Sequence, residues 1–288
     1  MSTLRDAVLR SVYRLGWRSA AGLPAPLVSG FIRVASAGAA RRNGVHVQHL
    51  RRNLTAAVGA PADENLVRAG LASYLRNFYE VLALPAWSRA EVIERVTTVG
   101  EETLRTAFAT RGAVVALPHS GNWDLAGAWA CYTGMPVTTV AEQLGDAEYD
   151  AFVRFREGLG MRVLSHQDPG TVPALIRAVG EHRLVCLVAD RDLPGNGVEV
   201  IWRDRPVTMP GGPALVARRS GAALIPAVCA FTPSGMRITF GAVVPERPGR
   251  AGLQAMTQDV ATFFAEQIAR QPEDWHLLQP FFPAGPVR

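Results

Sequence analysis

His119 and Asp124 stand five residues apart in the run Pro118-His119-Ser120-Gly121-Asn122-Trp123-Asp124. An imidazole takes a proton from an alcohol when a carboxylate holds its other nitrogen, fixing the tautomer and stabilising the imidazolium. That pair therefore reads as a base and its orienting acid. Ser120 is a competing nucleophile, but Pro118 occupies the place of the first glycine of a Gly-x-Ser-x-Gly elbow. A histidine that merely caps a loop is the plainest alternative.

Placement strengthens the pair. Residues 113–117 are apolar and partly β-branched, as in a buried parallel strand, and residues 122–132 are Ala-rich with helical spacing. His119 then falls where a strand's carboxyl end meets a loop, the usual ligand position in an open α/β sheet. Asn122 is the expected helix cap, and Asp124 lies in the first turn. Further strands are expected at 137–140, 161–164, 184–189, 198–202, 223–230 and 236–244, the last antiparallel to its predecessor across Thr232-Pro233-Ser234-Gly235. Further helices are expected at 146–159, 171–181, 211–220 and 252–270. The alternation predicts an α/β fold with a mostly parallel central sheet flanked by helices. Residues 1–95 read as a mainly helical region and 96–288 as the α/β core. One helix from Pro61 to about Leu84 buries Leu71, Tyr74, Leu75, Phe78 and Leu82.

Other polar residues near strand ends join the set. Glu199 sits inside an apolar strand and needs a partner if buried, with His119 or an arginine available, so it counts as a catalytic candidate. Asp190-Arg191-Asp192 ends the strongest strand and reads equally as an internal ion pair or a substrate contact. Arg154 and Arg156, like Arg218 and Arg219, suit phosphate, because guanidinium grips it bidentately, although solvated faces are the bland reading. Pro210-Gly211-Gly212-Pro213 opens a helix and offers a generic anion site. Gly195-Asn196-Gly197 lacks the third glycine of a dinucleotide fingerprint, so NAD is rejected. His46 and His49 have no third ligand nearby, and no metal is expected.

Net charge is +5, and all 30 cationic residues are arginines. The lack of lysine removes a P-loop, a Schiff base and a lysine general base. The positive charge favours anionic partners such as acidic lipid, nucleic acid or a phosphate-bearing substrate. Cys131, Cys186 and Cys229 are scattered in apolar surroundings, as reduced thiols in the cytosol would be. No stretch reaches the roughly 18 consecutive apolar residues of a membrane span, and Arg5, Asp6 and Arg10 argue against a signal peptide. Residues 3–18 carry Leu4, Val8, Val12 and Leu15 on one helical face opposite Arg10, Arg14 and Arg18. They form either a packed amphipathic helix or a basic helix resting on anionic lipid.

The segment His119–Asp124, with its Asn-Trp-Asp ending, resembles the His-x4-Asp motif of the glycerolipid acyltransferase superfamily. It is most similar to the bacterial branch that holds the lipid A and phosphatidylinositol mannoside acyltransferases. The resemblance spans roughly residues 41–281 and includes Arg51-Arg52-Asn53-Leu54, Arg76-Asn77-Phe78-Tyr79-Glu80, Val140-Ala141-Glu142, Ala189-Asp190-Arg191-Asp192 and Pro210 through Pro226. The blocks at 140–142 and 189–192, and the lack of a lipid A-type amino-terminal anchor, favour the mannoside enzymes. Ile201-Trp202-Arg203-Asp204 departs from the Phe-Phe-Gly of relatives. The resemblance implies acyl transfer, palmitoyl above all, from acyl-CoA as co-substrate to a mannose hydroxyl, with no further cofactor. It makes His119 the base, Asp124 its orienting partner, amides at the start of the 122–132 helix the oxyanion donors, and Glu142 an acceptor contact. The expected partners are acyl-CoA, an anionic glycolipid and the cytoplasmic membrane surface, with no nucleic acid. Lipid A or glycerol-phosphate acylation, a serine or thioester hydrolase and a non-catalytic basic binding module are the alternatives.

Overall fold

The computed structural model describes residues 22–142, 146–192 and 195–282. The amphipathic stretch expected over residues 3–18 lies outside these. Among the described residues, four α-helices precede the first strand: α1 (Ala25–Arg42), α2 (Val45–Val58), α3 (Glu64–Ala83) and the short α4 (Arg89–Glu94). Local chemistry starts two of them. Asp63 accepts from the Leu66 amide at 2.7 Å, and Ser88 with Glu91 forms a reciprocal capping box.

From Val96 strands and helices alternate. In chain order these are β1 (Val96–Val99), α5 (Glu101–Arg111), β2 (Ala113–Leu117), α6 (Trp123–Tyr132), β3 (Val137–Ala141), α7 (Asp146–Gly158) and β4 (Arg162–Ser165). There follow α8 (Thr171–Gly180), β5 (Leu184–Val188), β6 (Val198–Trp202), β7 (Arg205–Met209), α9 (Gly212–Ser220), β8 (Ala223–Phe231), β9 (Met236–Phe240) and α10 (Gly249–Ile268). Seven strands make one sheet in the order β1-β9-β8-β2-β5-β3-β4. Every neighbouring pair is parallel except β8–β9, the antiparallel pair expected from the intervening turn. The fold is thus the mostly parallel α/β sheet with an amino-terminal helical region that the sequence pattern predicts. β2 lies at its centre with every residue buried, as an all-apolar strand covered on both faces must be.

Three expectations are corrected. The 198–202 strand does not join the main sheet. It pairs with β7 as a separate hairpin against α10, and Pro206 disguises β7 in the sequence. The strand expected to run to Val244 ends at Phe240, and Val244 makes only one isolated bridge, to Leu224. The stripe on α3 is also turned: Leu71 is buried, but Phe78 is 44% exposed, and Tyr74, Phe78 and Leu82 line a cavity in place of filling the core. The residues that α3 buries include Ser73, Asn77, Glu80 and Val81.

Candidate active site

β2 and β5 are adjacent and parallel, so their carboxyl ends open side by side, and the Ala189 amide continues the ladder to the Leu117 carbonyl at 2.8 Å. His119 follows one strand and Asp190 the other. His119 Nδ1 meets Asp190 Oδ1 at 2.6 Å, while the His119 backbone amide and the Trp275 indole Nε1 donate to Asp190 Oδ2 at 3.0 and 2.8 Å. Asp190 is fully buried. Burial alone pushes its carboxyl pKa up. The imidazole charge and the hydrogen bonds from His119 and Trp275 outweigh that and hold it below the ordinary aspartate value. With Nδ1–H committed to an ionised carboxylate, Nε2 is the basic nitrogen.

This corrects the expected partnership of His119 with Asp124. Asp124, buried in the first turn of α6, binds Arg156 of α7, with Nε to Oδ1 at 2.6 Å and Nη2 to Oδ2 at 3.3 Å. Burial opposes the Arg156 charge, but the Asp124 carboxylate outweighs it and raises the guanidinium's pKa. The helix turns Asp124 away because Asn122 caps it, accepting from the Leu125 amide at 2.9 Å. Gly121 carries the tight turn before it at φ 57°, where a Cβ would lie 2.9 Å from the Cys229 backbone.

Glu199 is corrected as well. It sits exposed on the β6–β7 hairpin, away from His119, and its carbonyl accepts from Gln254. Arg154 is exposed on α7 and does not line the cavity described next. Glu142, after β3, and Arg191, after β5, form an ion pair of 3.2 Å at neighbouring strand ends. Ser120 is buried, and its hydroxyl has no partner among the described residues.

His119, Asp124, Glu142, Arg156 and Arg191 all line one cavity of about 650 Å³. It runs along one face of the sheet beneath α6 and α3. Alternate strand residues floor it: Leu117 and Val115, Val188, Cys186 and Leu184, Cys229 and Ala227. Polar side chains gather at the strands' carboxyl ends, and Val115, Val137, Leu184 and Met161 close the far end. Four residues of β5 separate the two ends, roughly 13 Å at the usual strand rise. Burial disfavours the thiolate form of the cysteines on this face, pushing Cys229 up to about 12 and Cys186 in the same direction.

The polar segment 272–276 was missed in the sequence. Ser73 Oγ donates to Asp274 Oδ1 at 2.5 Å and accepts a hydrogen bond from His276 Nε2 at 2.8 Å. Burial pushes Asp274 up to about 6 and His276 down to about 3. The His276 amide donates to the His119 carbonyl at 2.7 Å. An acidic, aromatic and imidazole triplet just past the last long helix was the available signal, yet its partners are spread over Ser73, His119, Asp190 and Phe231, from 43 to 203 residues earlier.

A half-buried imidazole on a fully buried carboxylate, at the polar end of a largely apolar cavity, suits proton transfer beside an aliphatic chain. Residues 2–283 match the bacterial lipid A biosynthesis acyltransferase family, and the chain belongs to it. It is an acyltransferase. Among curated relatives it is 41% identical over 276 residues to a phosphatidylinositol mannoside acyltransferase of Mycolicibacterium smegmatis, covering 93% of this chain and 89% of that one. It is 38% identical over 290 residues to proteins of the same description from two strains of Mycobacterium tuberculosis, covering 96% of this chain and 90% of theirs.

Proposed function

We propose that the protein moves a fatty acyl group, palmitoyl by preference, from acyl-CoA to a mannose hydroxyl of a phosphatidylinositol mannoside. The observation that carries this reading is the 2.6 Å contact between His119 and the buried Asp190 at the polar end of the apolar cavity. His119 Nε2 takes the proton of the acceptor hydroxyl as its oxygen attacks the thioester carbonyl carbon. The carbon–sulfur bond then breaks, and the CoA thiolate leaves with the proton from the imidazolium. No covalent enzyme intermediate forms. Asp190 stabilises the transient positive ring and keeps Nε2 facing the reactants.

The acyl chain lies in the cavity, where each buried methylene contributes about 0.8 kcal/mol. Glu142 and Arg191 stand at strand ends beside His119 and contact the acceptor sugar. Arg154, exposed on α7, contacts a CoA phosphate, whereas Arg156 serves by holding Asp124. An anionic acceptor suits the arginine-rich surface, and the names of the mycobacterial relatives support a mannosylated phosphoinositide over lipid A. The enzyme works at the cytoplasmic face of the cell membrane, bound peripherally.

The test is to incubate purified protein with palmitoyl-CoA and a panel of lipid acceptors and to identify products by mass. Acylated phosphatidylinositol mannoside and free CoA in equal amounts are expected. Acceptor-independent release of fatty acid, or transfer only to another lipid class, overturns the proposal.

A further inference from the structure

We infer that Trp275 is a positioning residue for this reaction: its indole N–H clamps Asp190 so that the other carboxylate oxygen faces His119. The inference rests on the general-base reading above. The terminal torsion of an aspartate is broad, so one hydrogen bond to a ring does not fix the plane of its carboxylate. Here Oδ1 accepts from His119 Nδ1, and Oδ2 accepts from both the His119 amide and Trp275 Nε1. Without the indole, the amide of the base itself is the remaining donor to Oδ2, and the carboxylate can swing with the loop that it should steady.

Trp275 is itself immobile. It is fully buried, stacks on Trp202 at 5.4 Å and 12°, and meets Phe281 edge-on at 5.2 Å. Its backbone is tied to the same loop: Ser120 and Trp275 form an antiparallel bridge, Gly121 donates to the Asp274 carbonyl at 3.0 Å, and His276 donates to the His119 carbonyl at 2.7 Å. One short stretch of chain therefore grips the imidazole by its backbone and the carboxylate by a side chain. Packing alone does not explain the polar edge. Trp202, in the same stack, is equally buried, and its Nε1 has no partner among the described residues. Of the two stacked indoles, the one whose N–H is used is the one that reaches Asp190.

Trp275→Phe keeps the stack and removes the donor. A carboxylate with one donor fewer is more basic, so either it or the imidazole facing it holds a proton to higher pH. We expect kcat to fall roughly 10- to 100-fold, the size typical of lost outer-shell support. KM for palmitoyl-CoA stays unchanged, and the acid limb of kcat/KM moves to higher pH. Trp202→Phe should lower thermal stability and leave that limb in place, because it removes packing and no donor. If His119→Ala retains activity, the general-base reading itself fails. If His119→Ala is dead but Trp275→Phe keeps the wild-type kcat and pH profile, the positioning role fails alone. Should Trp275→Phe not fold, folded Asp190→Asn gives the answer by NMR. One of the six tryptophan indole N–H resonances should shift far more than the rest, and six unchanged resonances overturn the inference.

Discussion

Asp190 and Asp124 are both buried carboxylates, and each is committed to one partner: Asp190 to the His119 imidazole, Asp124 to the Arg156 guanidinium. Their substitutions should therefore fail differently. Asp124→Asn leaves the Arg156 charge buried without compensation, and removing one partner of such a pair typically costs about 3–5 kcal/mol. A denaturant-unfolding series should show that loss of stability, and an unchanged midpoint contradicts the structural role. His276 supplies a pH signature. In the unfolded chain it takes up a proton near the ordinary histidine value, but in the fold only near about 3. Its contribution is thus complete above about pH 6.5 and is lost as the pH falls toward 3. Asp274, raised to about 6, acts oppositely, because the fold holds a proton that the unfolded chain releases. His276→Phe leaves only the second effect. Its Tm should drop less than the wild type's between about pH 7 and about pH 4.5, and an equal drop contradicts the assignment.

At the scale of elements, the site is a product of strand order. The sequence marks His119 and Asp190 as residues just beyond two strong apolar strands, but not that β2 and β5 are neighbours. That adjacency is what brings residues 71 positions apart to 2.6 Å. Asp124, only five residues from His119, is the nearer acid along the chain. Helix geometry overrules proximity, since Asn122 caps α6 and the first turn points Asp124 at α7. The parallel sheet, the β8–β9 turn and the flanking helices were legible because each rests on local periodicity. The hairpin at 198–209, the facing of α3 and the 274–276 segment were not, because each depends on a distant partner. α6 also sets the depth of the cavity. A Cβ at Gly127 would meet Met161 Cε at 2.7 Å and Sδ at 2.8 Å, and Met161 closes the far end. Gly127→Ala should push the flexible thioether inward and shift preference to shorter chains among acyl-CoAs graded from lauroyl to stearoyl. An unchanged product distribution contradicts this.

For the whole molecule, the three most exposed large apolar residues among those described lie on α1. Leu27, Phe31 and Val34 of α1 are 67%, 70% and 73% exposed and recur at helical spacing, with Arg33 exposed beside them. Among the described residues no helix is long and apolar enough to cross a membrane. Such a stripe beside arginines fits the surface of an anionic bilayer, to which each well-placed cation adds about 1 kcal/mol. Burying one phenylalanine contributes about 1.5–3 kcal/mol, so Phe31→Asp should weaken binding to phosphatidylinositol-containing vesicles roughly tenfold or more. Sedimentation with vesicles measures this, and undiminished binding removes α1 as the docking face.

The most direct test of the account is the turnover of folded Asp190→Asn with palmitoyl-CoA and a phosphatidylinositol mannoside. With the carboxylate replaced by an amide, the imidazole loses the charge that fixes its tautomer, and kcat should fall by roughly 10²- to 10⁴-fold. A folded Asp190→Asn enzyme that turns over within a few-fold of wild type would mean that His119 does not draw its basicity from Asp190.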